Sequence, residues 1–234
     1  MLLIKLLAAR DITLARNSTQ KDLYLLEFIT KNLLRQGQTV LHIGGHEGQE
    51  AKFYNKLGLG VLWIEAQPLI FEKLNKNIDG LVPEQRAICA LLGNESKDGI
   101  NFNLSNNQSL SSSLFPLGKD APWEDLKMSG SLKLQMHRLD ELCHDEDFSG
   151  FSHCVVDVQG AELIVLQGFG DELKKFNSFQ IEISTMETYE GGARYEEILA
   201  FMNDAGFEPL WKPRKGTHQD MIFMRRDHNF VMSL

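Results

Sequence analysis

Cysteine is scarce in this chain of 234 residues: Cys89, Cys143 and Cys154 are an odd set without C-x-x-C spacing, which supports neither a disulfide framework nor a cysteine zinc site. A reducing, cytoplasmic compartment is expected. Basic charge is also short, with 24 Lys plus Arg against 32 Asp plus Glu and a net charge of −8. That balance argues against the broad phosphate-contacting footprint of a nucleic-acid-binding protein. The local cluster Lys212-Pro-Arg-Lys215, with Arg225 and Arg226 beyond it, reads either as solvated surface or as a contact for an anionic substrate. A bilayer-spanning apolar run is lacking too. Met1 to Arg10 has a short apolar run interrupted by Lys5 and no small-residue cleavage region after it, unlike a signal peptide or a membrane span; it reads as an amphipathic helix packed on the domain or on a partner. No G-K-[ST] phosphate loop occurs.

What is present is the length of one compact domain and a β-α-β-α order. Lys21 to Arg35 places Leu23, Leu25, Leu26, Ile29, Leu33 and Leu34 at helical spacing before Gly37, so residues 1–37 are expected to form an N-terminal helical cap on a domain spanning 38–234. Helices are expected over Glu50 to Leu57 and Pro68 to Asn77, and a third strand over Arg86 to Leu92. Turn residues around Ile100 to Leu104 suggest a small inserted hairpin, and Leu132 to His137 alternates like an edge strand. Between them, the polar tract Ser105 to Ser113 and the stretch to Gly130 read either as a lid or binding segment or as disorder. A helix over Tyr195 to Asn203 and strands near Phe207 to Trp211 and Asp220 to Arg225 suggest an antiparallel hairpin at a sheet edge.

The segment Thr39 to Glu50 runs a β-branched, apolar strand into a glycine-rich turn and then into helix-forming residues. Gly44, Gly45 and Gly48 let backbone pass close to a ligand, and the following helix offers free N–H groups. The next strand ends at Glu65, 17 residues after Gly48, about where a Rossmann-type unit places the acid that grips ribose hydroxyls. A dinucleotide fingerprint counted from Gly44 would need glycine at 46 and 49, where the chain has His46 and Gln49. Glu47 and Glu50 make the loop acidic, which suits a cationic or zwitterionic ligand better than a pyrophosphate. S-adenosylmethionine, with its sulfonium and amino-acid tail, fits that charge. An ordinary β-to-α turn with a solvated Glu65 fits the loop alone as well.

Two further strands carry acids. His153 to Val158 leads through Gln159-Gly160 into an amphipathic helix and places Asp157 at the ligand edge of the sheet. Phe179 to Ser184 holds Glu182 among apolar neighbours, where an unpaired charge would be costly. The two carboxylates are expected to converge on one crevice, either functionally or as a turn cap and the partner of a buried Arg.

Taken together, the glycine turn at Val40 to Glu50, the block Trp63-Ile-Glu-Ala-Gln-Pro68, Val156-Asp-Val-Gln-Gly-Ala-Glu162 and Ile181-Glu-Ile183 resemble the FkbM family of S-adenosylmethionine-dependent methyltransferases over residues 38 to 211. The resemblance implies a class I methyltransferase fold: an α/β, Rossmann-like, seven-stranded, mostly parallel sheet with helices on both faces and an antiparallel edge strand. It implies O-methylation of a hydroxyl on a sugar, glycan or small natural product. N-methylation of a small amine or peptide, and a non-catalytic S-adenosylmethionine-binding protein, are the alternatives. The cofactor residues it implies are Gly44, Gly45, His46, Glu47, Gly48, Glu65, Ala66, Asp157, Val158 and Gln159. His42 and His46 stand where the family often has Asp and Asn, which leaves the contacts to the methionine moiety open. For the acceptor proton, Asp157, Glu182 and His46 are the base candidates, with Glu162 behind them. Asp157 and Glu182 could instead hold a divalent cation such as magnesium, although no contiguous metal motif supports one. Ser111, Ser112, Tyr189 and Arg194 are the candidate acceptor contacts, on loops suited to a lid.

Overall fold

A computed structural model of the chain describes residues 33–227 apart from residues 35 and 217. The expected N-terminal helices therefore lie outside the described residues. Within them the chain alternates as expected: β1 (Thr39–Ile43), α1 (Ala51–Lys56), β2 (Gly60–Glu65), α2 (Pro68–Ile78) and β3 (Gln85–Cys89). Pro68 sits in the first turn of α2, where its missing N–H has no intrahelical partner to lose.

The expected third strand divides at Ala90. Its first part stays in the main sheet as β3, and Leu91–Leu92, β4, crosses into a second sheet of three strands with β5 (Lys97–Ser105) and β6 (Met128–His137), in the order β4-β6-β5. The inserted hairpin thus pairs β5 with the strand read separately over Leu132 to His137, antiparallel, Phe102 opposite Leu132. Its faces are unequal: Phe102 and Met136 are buried with Leu91 in a small core of their own.

Then follow α3 (Leu139–Leu142), β7 (Phe151–Val156), α4 (Glu162–Gln167), β8 (Ser178–Ser184), α5 (Tyr195–Asp204), β9 (Phe207–Pro209) and β10 (His218–Arg225). The main sheet runs β3-β2-β1-β7-β8-β10-β9. β3, β2, β1, β7 and β8 pair in parallel, and β10 alone is reversed between β8 and β9. The antiparallel hairpin expected at the edge is β9–β10, with the reversed strand one place in and the three-residue β9 outermost.

Period-two alternation explains why both faces are covered. Leu41, Ile43, Leu62, Ile64, Cys154, Val156, Met221 and Phe223 face one core, packed on Val165 and Leu166 of α4 and Ile198 and Met202 of α5. Val40, Val61, Trp63, Val155, Ile222 and Met224 face the other, packed on Ala51 and Tyr54 of α1 and Leu74 and Ile78 of α2. The polar ends of β1, β2 and β7 emerge together at the carboxyl edge, the place where an open parallel sheet binds ligands.

Candidate active site

A cavity of about 280 Å³ lies at that edge. Gly44, Gly45 and His46 form its floor after β1, Glu65, Ala66 and Gln67 close it after β2, and Asp157, Val158 and Gln159 close it after β7. Leu91, Leu92, Phe102 and Leu114, contributed by the small sheet and its loop, make an apolar wall. Glu50, Glu65 and Asp157 give the lining three carboxyl groups, and no Lys or Arg lines it among the described residues.

The glycine turn is fixed by Glu65. One of its oxygens accepts the backbone N–H of His46 at 2.9 Å, the other that of Gln67 at 2.9 Å. The carboxyl is 5% exposed, and burial raises its pKa against the pull of those N–H groups. Gly44, at φ 84°, allows a contact no other residue could: a Cβ there would stand 1.7 Å from the Asp157 carbonyl oxygen. The turn also carries His46 at φ 43°, and both ring nitrogens are engaged. Gln49 Nε2 donates to Nδ1 at 2.8 Å and Nε2 lies 3.0 Å from the Gln108 carbonyl; an amide nitrogen at Nδ1 and a carbonyl oxygen at Nε2 place a ring proton on Nε2.

That second bond ties the turn to the insertion. The segment Ser105 to Ser113 is packed at its ends, with Ser105, Ser111 and Ser112 each 5% exposed and Ser113 fully buried, while Asn106, Gln108 and Leu110 between them face solvent, so it forms a roof with one side to the cavity. Ser113 Oγ donates to the Gln159 carbonyl at 2.6 Å, and Gln67 Nε2 reaches the Ser109 carbonyl at 3.4 Å.

The acids after β7 and within β8 meet through Gln159, which has φ 56°. Its Nε2 donates to Asp157 Oδ1 at 2.6 Å and to Glu182 Oε2 at 2.8 Å, while Tyr189 OH donates to its Oε1 at 2.6 Å. Burial, then the charge of Asp157, pushes the Glu182 carboxyl well above the usual carboxylate range. A like charge beside a buried carboxyl disfavours its ionised form. His218 Nε2 stands 2.9 Å from Glu182 Oε1, close but not aligned as a hydrogen bond. Glu162 belongs to the backbone instead: Oε1 accepts the N–H groups of Val158 and Gly160 at 3.1 and 3.0 Å, and burial lifts its pKa to about 7.

Residues 42–209 match the family described as "Methyltransferase FkbM domain". The chain belongs to the FkbM methyltransferase family. It is an S-adenosylmethionine-dependent methyltransferase. A relative, the 2-O-methyltransferase NoeI of Sinorhizobium fredii, is 23% identical over 203 residues, covering 83% of this chain and 82% of its own. Among solved structures, a putative tRNA (m1A22) methyltransferase from Streptococcus pneumoniae is 11% identical with a TM-score of 0.48, covering 88% of this chain and 72% of its own. Fibrillarin from Aeropyrum pernix, solved with natively bound S-adenosyl-L-methionine, is 14% identical with a TM-score of 0.46, covering 81% and 67%.

Not every residue that the sequence singles out lies on the cavity of this FkbM domain. Gly44, Gly45, His46, Glu65, Ala66, Ser112, Asp157, Val158 and Gln159 line it. Glu47 points away, paired with Lys73 of α2 at 2.6 Å, because that helix packs directly under the turn. Gly48 serves the same packing: a Cβ there would meet Leu74 Cδ1 at 2.7 Å. Arg194 is exposed at the start of α5, its backbone N–H given to Glu197, and lines no described cavity. Ser111 offers its carbonyl to Tyr189 OH at 3.4 Å. Among the described residues no group of three or more His, Cys, Asp or Glu is arranged for a metal ion; between Asp157 and Glu182 sits the Gln159 amide, a donor where a cation would need acceptors. Sequence reasoning missed the apolar wall, since Leu91, Leu92 and Phe102 read simply as strand residues, and missed His218 and Trp123, which meet only in space.

Proposed function

We propose that this FkbM domain methylates a hydroxyl oxygen of a sugar, glycan or small natural product, with S-adenosylmethionine held in the 280 Å³ cavity. The lining suits that cofactor: three carboxyl groups and, among the described residues, no Lys or Arg favour a cation and disfavour the pyrophosphate of a nicotinamide dinucleotide. Glu65 keeps lone pairs for a ribose diol after accepting its backbone donors. Ala66, Leu91, Leu92 and Phe102 offer the flat apolar surface an adenine needs, and the backbone of Gly44, Gly45 and Val158 surrounds the remainder. When bound, the cofactor supplies a methyl group already activated by positive sulfur.

The observation that carries the choice of oxygen is the carboxyl pair bridged by Gln159. A neutral amine brings its own lone pair to the reaction, whereas a hydroxyl has a proton to lose, so a positioned base matters most for oxygen. Glu182, kept protonated, leaves Asp157 as the ionised member facing the cavity. Asp157 takes the acceptor proton, and Gln159 and Tyr189 fix its direction. The roof over Ser105 to Ser113 excludes water. The name of the relative NoeI, a 2-O-methyltransferase, agrees with oxygen as the acceptor atom.

Titration calorimetry with S-adenosylmethionine and S-adenosylhomocysteine tests the cofactor, with NADH as control. Saturable binding of both, weakened in Glu65→Ala, is expected. Turnover against a panel of glycosides and amines, read as S-adenosylhomocysteine release and as the linkage of the product, tests the acceptor. An alkali-stable ether on a glycoside is expected; an N-methyl product overturns the reading.

A further inference from the structure

Behind the carboxyl pair lies a second, shallow recess of about 10 Å³, lined by Glu182, His218, Ser184, Thr188, Tyr189 and the backbone around Gly160. That volume holds one water molecule or one hydroxyl, never a ring. The recess has unused polar capacity: neither ring nitrogen of His218 has an aligned hydrogen-bond partner among the described residues, although both are buried, and such groups normally find one.

The insertion that roofs the main cavity also reaches this recess. Past Pro116 it is stitched to the loop after β8. Gly118 N–H donates to the Thr188 carbonyl at 2.8 Å, Asp120 N–H to the Glu187 carbonyl at 3.1 Å, and Glu187 N–H back to Asp120 Oδ2 at 3.1 Å. Gly118 is needed for this approach, since a Cβ there would lie 2.1 Å from the Glu187 carbonyl oxygen. The insertion also sets Trp123 against His218, one of the residues that line the recess. The Trp123 ring stands perpendicular to that of His218, centroids 5.7 Å apart, and it is 39% exposed, one of few large apolar side chains left in solvent among the described residues.

An indole held partly bare beside a hydroxyl-sized polar recess has the two elements that recognise a sugar: a flat π-surface for the C–H face of the ring, and buried donors and acceptors for one hydroxyl. We propose that the acceptor enters on this side, with a sugar ring resting on Trp123 and one of its hydroxyls seated in the recess against Glu182 and His218. This rests on the O-methylation reading above and assigns it a substrate class and a specificity-determining residue. Because Gln159 lines the main cavity while its amide contacts Glu182 of the recess, a ring anchored here presents its other hydroxyls toward Asp157.

The test uses the full chain with methyl glycosides of hexoses, hexosamines and pentoses as probes. Trp123→Ala is expected to raise KM for the accepted glycoside about five- to tenfold, the scale of one aromatic contact, while kcat and S-adenosylmethionine affinity stay within twofold and Trp123→Phe recovers most of the loss. Glycoside titration should also change the tryptophan fluorescence of the wild type but not of Trp123→Phe, in which Trp63 and Trp211 remain. If glycosides are methylated with an unchanged KM in Trp123→Ala, the platform is wrong while O-methylation stands. If the wild type methylates only amines, both fall.

Discussion

Glu65 holds the backbone N–H of His46 at 2.9 Å across 19 residues of sequence, so one carboxylate both shapes the glycine turn and lines the main cavity. Its two tasks can be separated. Glu65→Gln keeps one acceptor for the turn and loses the charge, so the fold should survive with S-adenosylmethionine affinity reduced about 10- to 100-fold, the scale of a lost charge-assisted hydrogen bond. Thermal unfolding beside calorimetry checks this. A weakened Kd with an unchanged Tm supports the division, and a parallel fall in both would assign Glu65 to structure.

Gly44→Ala addresses the turn from the other side. Its Cβ would collide with the Asp157 carbonyl oxygen at 1.7 Å, and backbone cannot swing aside as a side chain can. The expected cost exceeds about 4 kcal/mol, the exceptional end of single substitutions, read by denaturant unfolding. Gly48→Ala should cost less, because its obstacle is the movable end of Leu74.

These positions also show how far the sequence could be read. The strand-turn-helix pattern, Glu65 at the end of β2 and the paired acids after β7 and within β8 are local signals, set by side-chain period and turn chemistry, and they locate the sheet edge. Glu47 and Gly48 share that signature yet serve α2, because nothing in the spacing tells which side of a turn a side chain faces. The roof was harder. Ser105 to Ser113 has the composition of a solvated loop, and its burial depends on a hairpin partner more than 20 residues away and on hydrogen bonds to His46 and Gln159.

Buried histidines make stability depend on pH. Burial lowers His153 from 6.5 to about 3, and His42, stacked on Trp63 at 4.5 Å, to about 3 by burial and by the proximity of His153. Above pH 6.5 each is neutral whether folded or unfolded and contributes nothing. As pH falls from 6.5 to 3, the unfolded chain takes the proton and the native state does not, so stability drops by up to about 1.4 kcal/mol per pH unit for each group. His153→Gln should therefore gain on the wild type through that window and run parallel to it above 6.5. Glu162 has the opposite sign: its pKa is raised from 4.5 to about 7, so its contribution is full below 4.5 and is lost as pH rises to 7, a slope that Glu162→Gln should remove. Chemical denaturation across pH 3 to 8 gives both difference curves.

The carboxyl pair yields the sharpest kinetic contrast. If Asp157 is the ionised member and Glu182 the protonated one, Asp157→Asn removes the base and should lower kcat by on the order of 10²- to 10⁴-fold, leaving S-adenosylmethionine affinity within a few-fold. Glu182→Gln replaces a protonated carboxyl by an amide of the same shape whose oxygen can still accept from Gln159, so most activity should persist. Its signature is the pH profile. Burial and the charge of Asp157 make Glu182 hold its proton well above the usual carboxylate range, so a basic limb of kcat that reports loss of that proton should be present in the wild type and absent from Glu182→Gln. Equal losses in the two variants with unmoved profiles would mean that neither carboxyl accepts the proton, and that the cluster only shapes the edge of the sheet. His46 would not inherit the role as it stands, since Gln49 occupies its Nδ1 lone pair and Nε2 faces the Gln108 carbonyl.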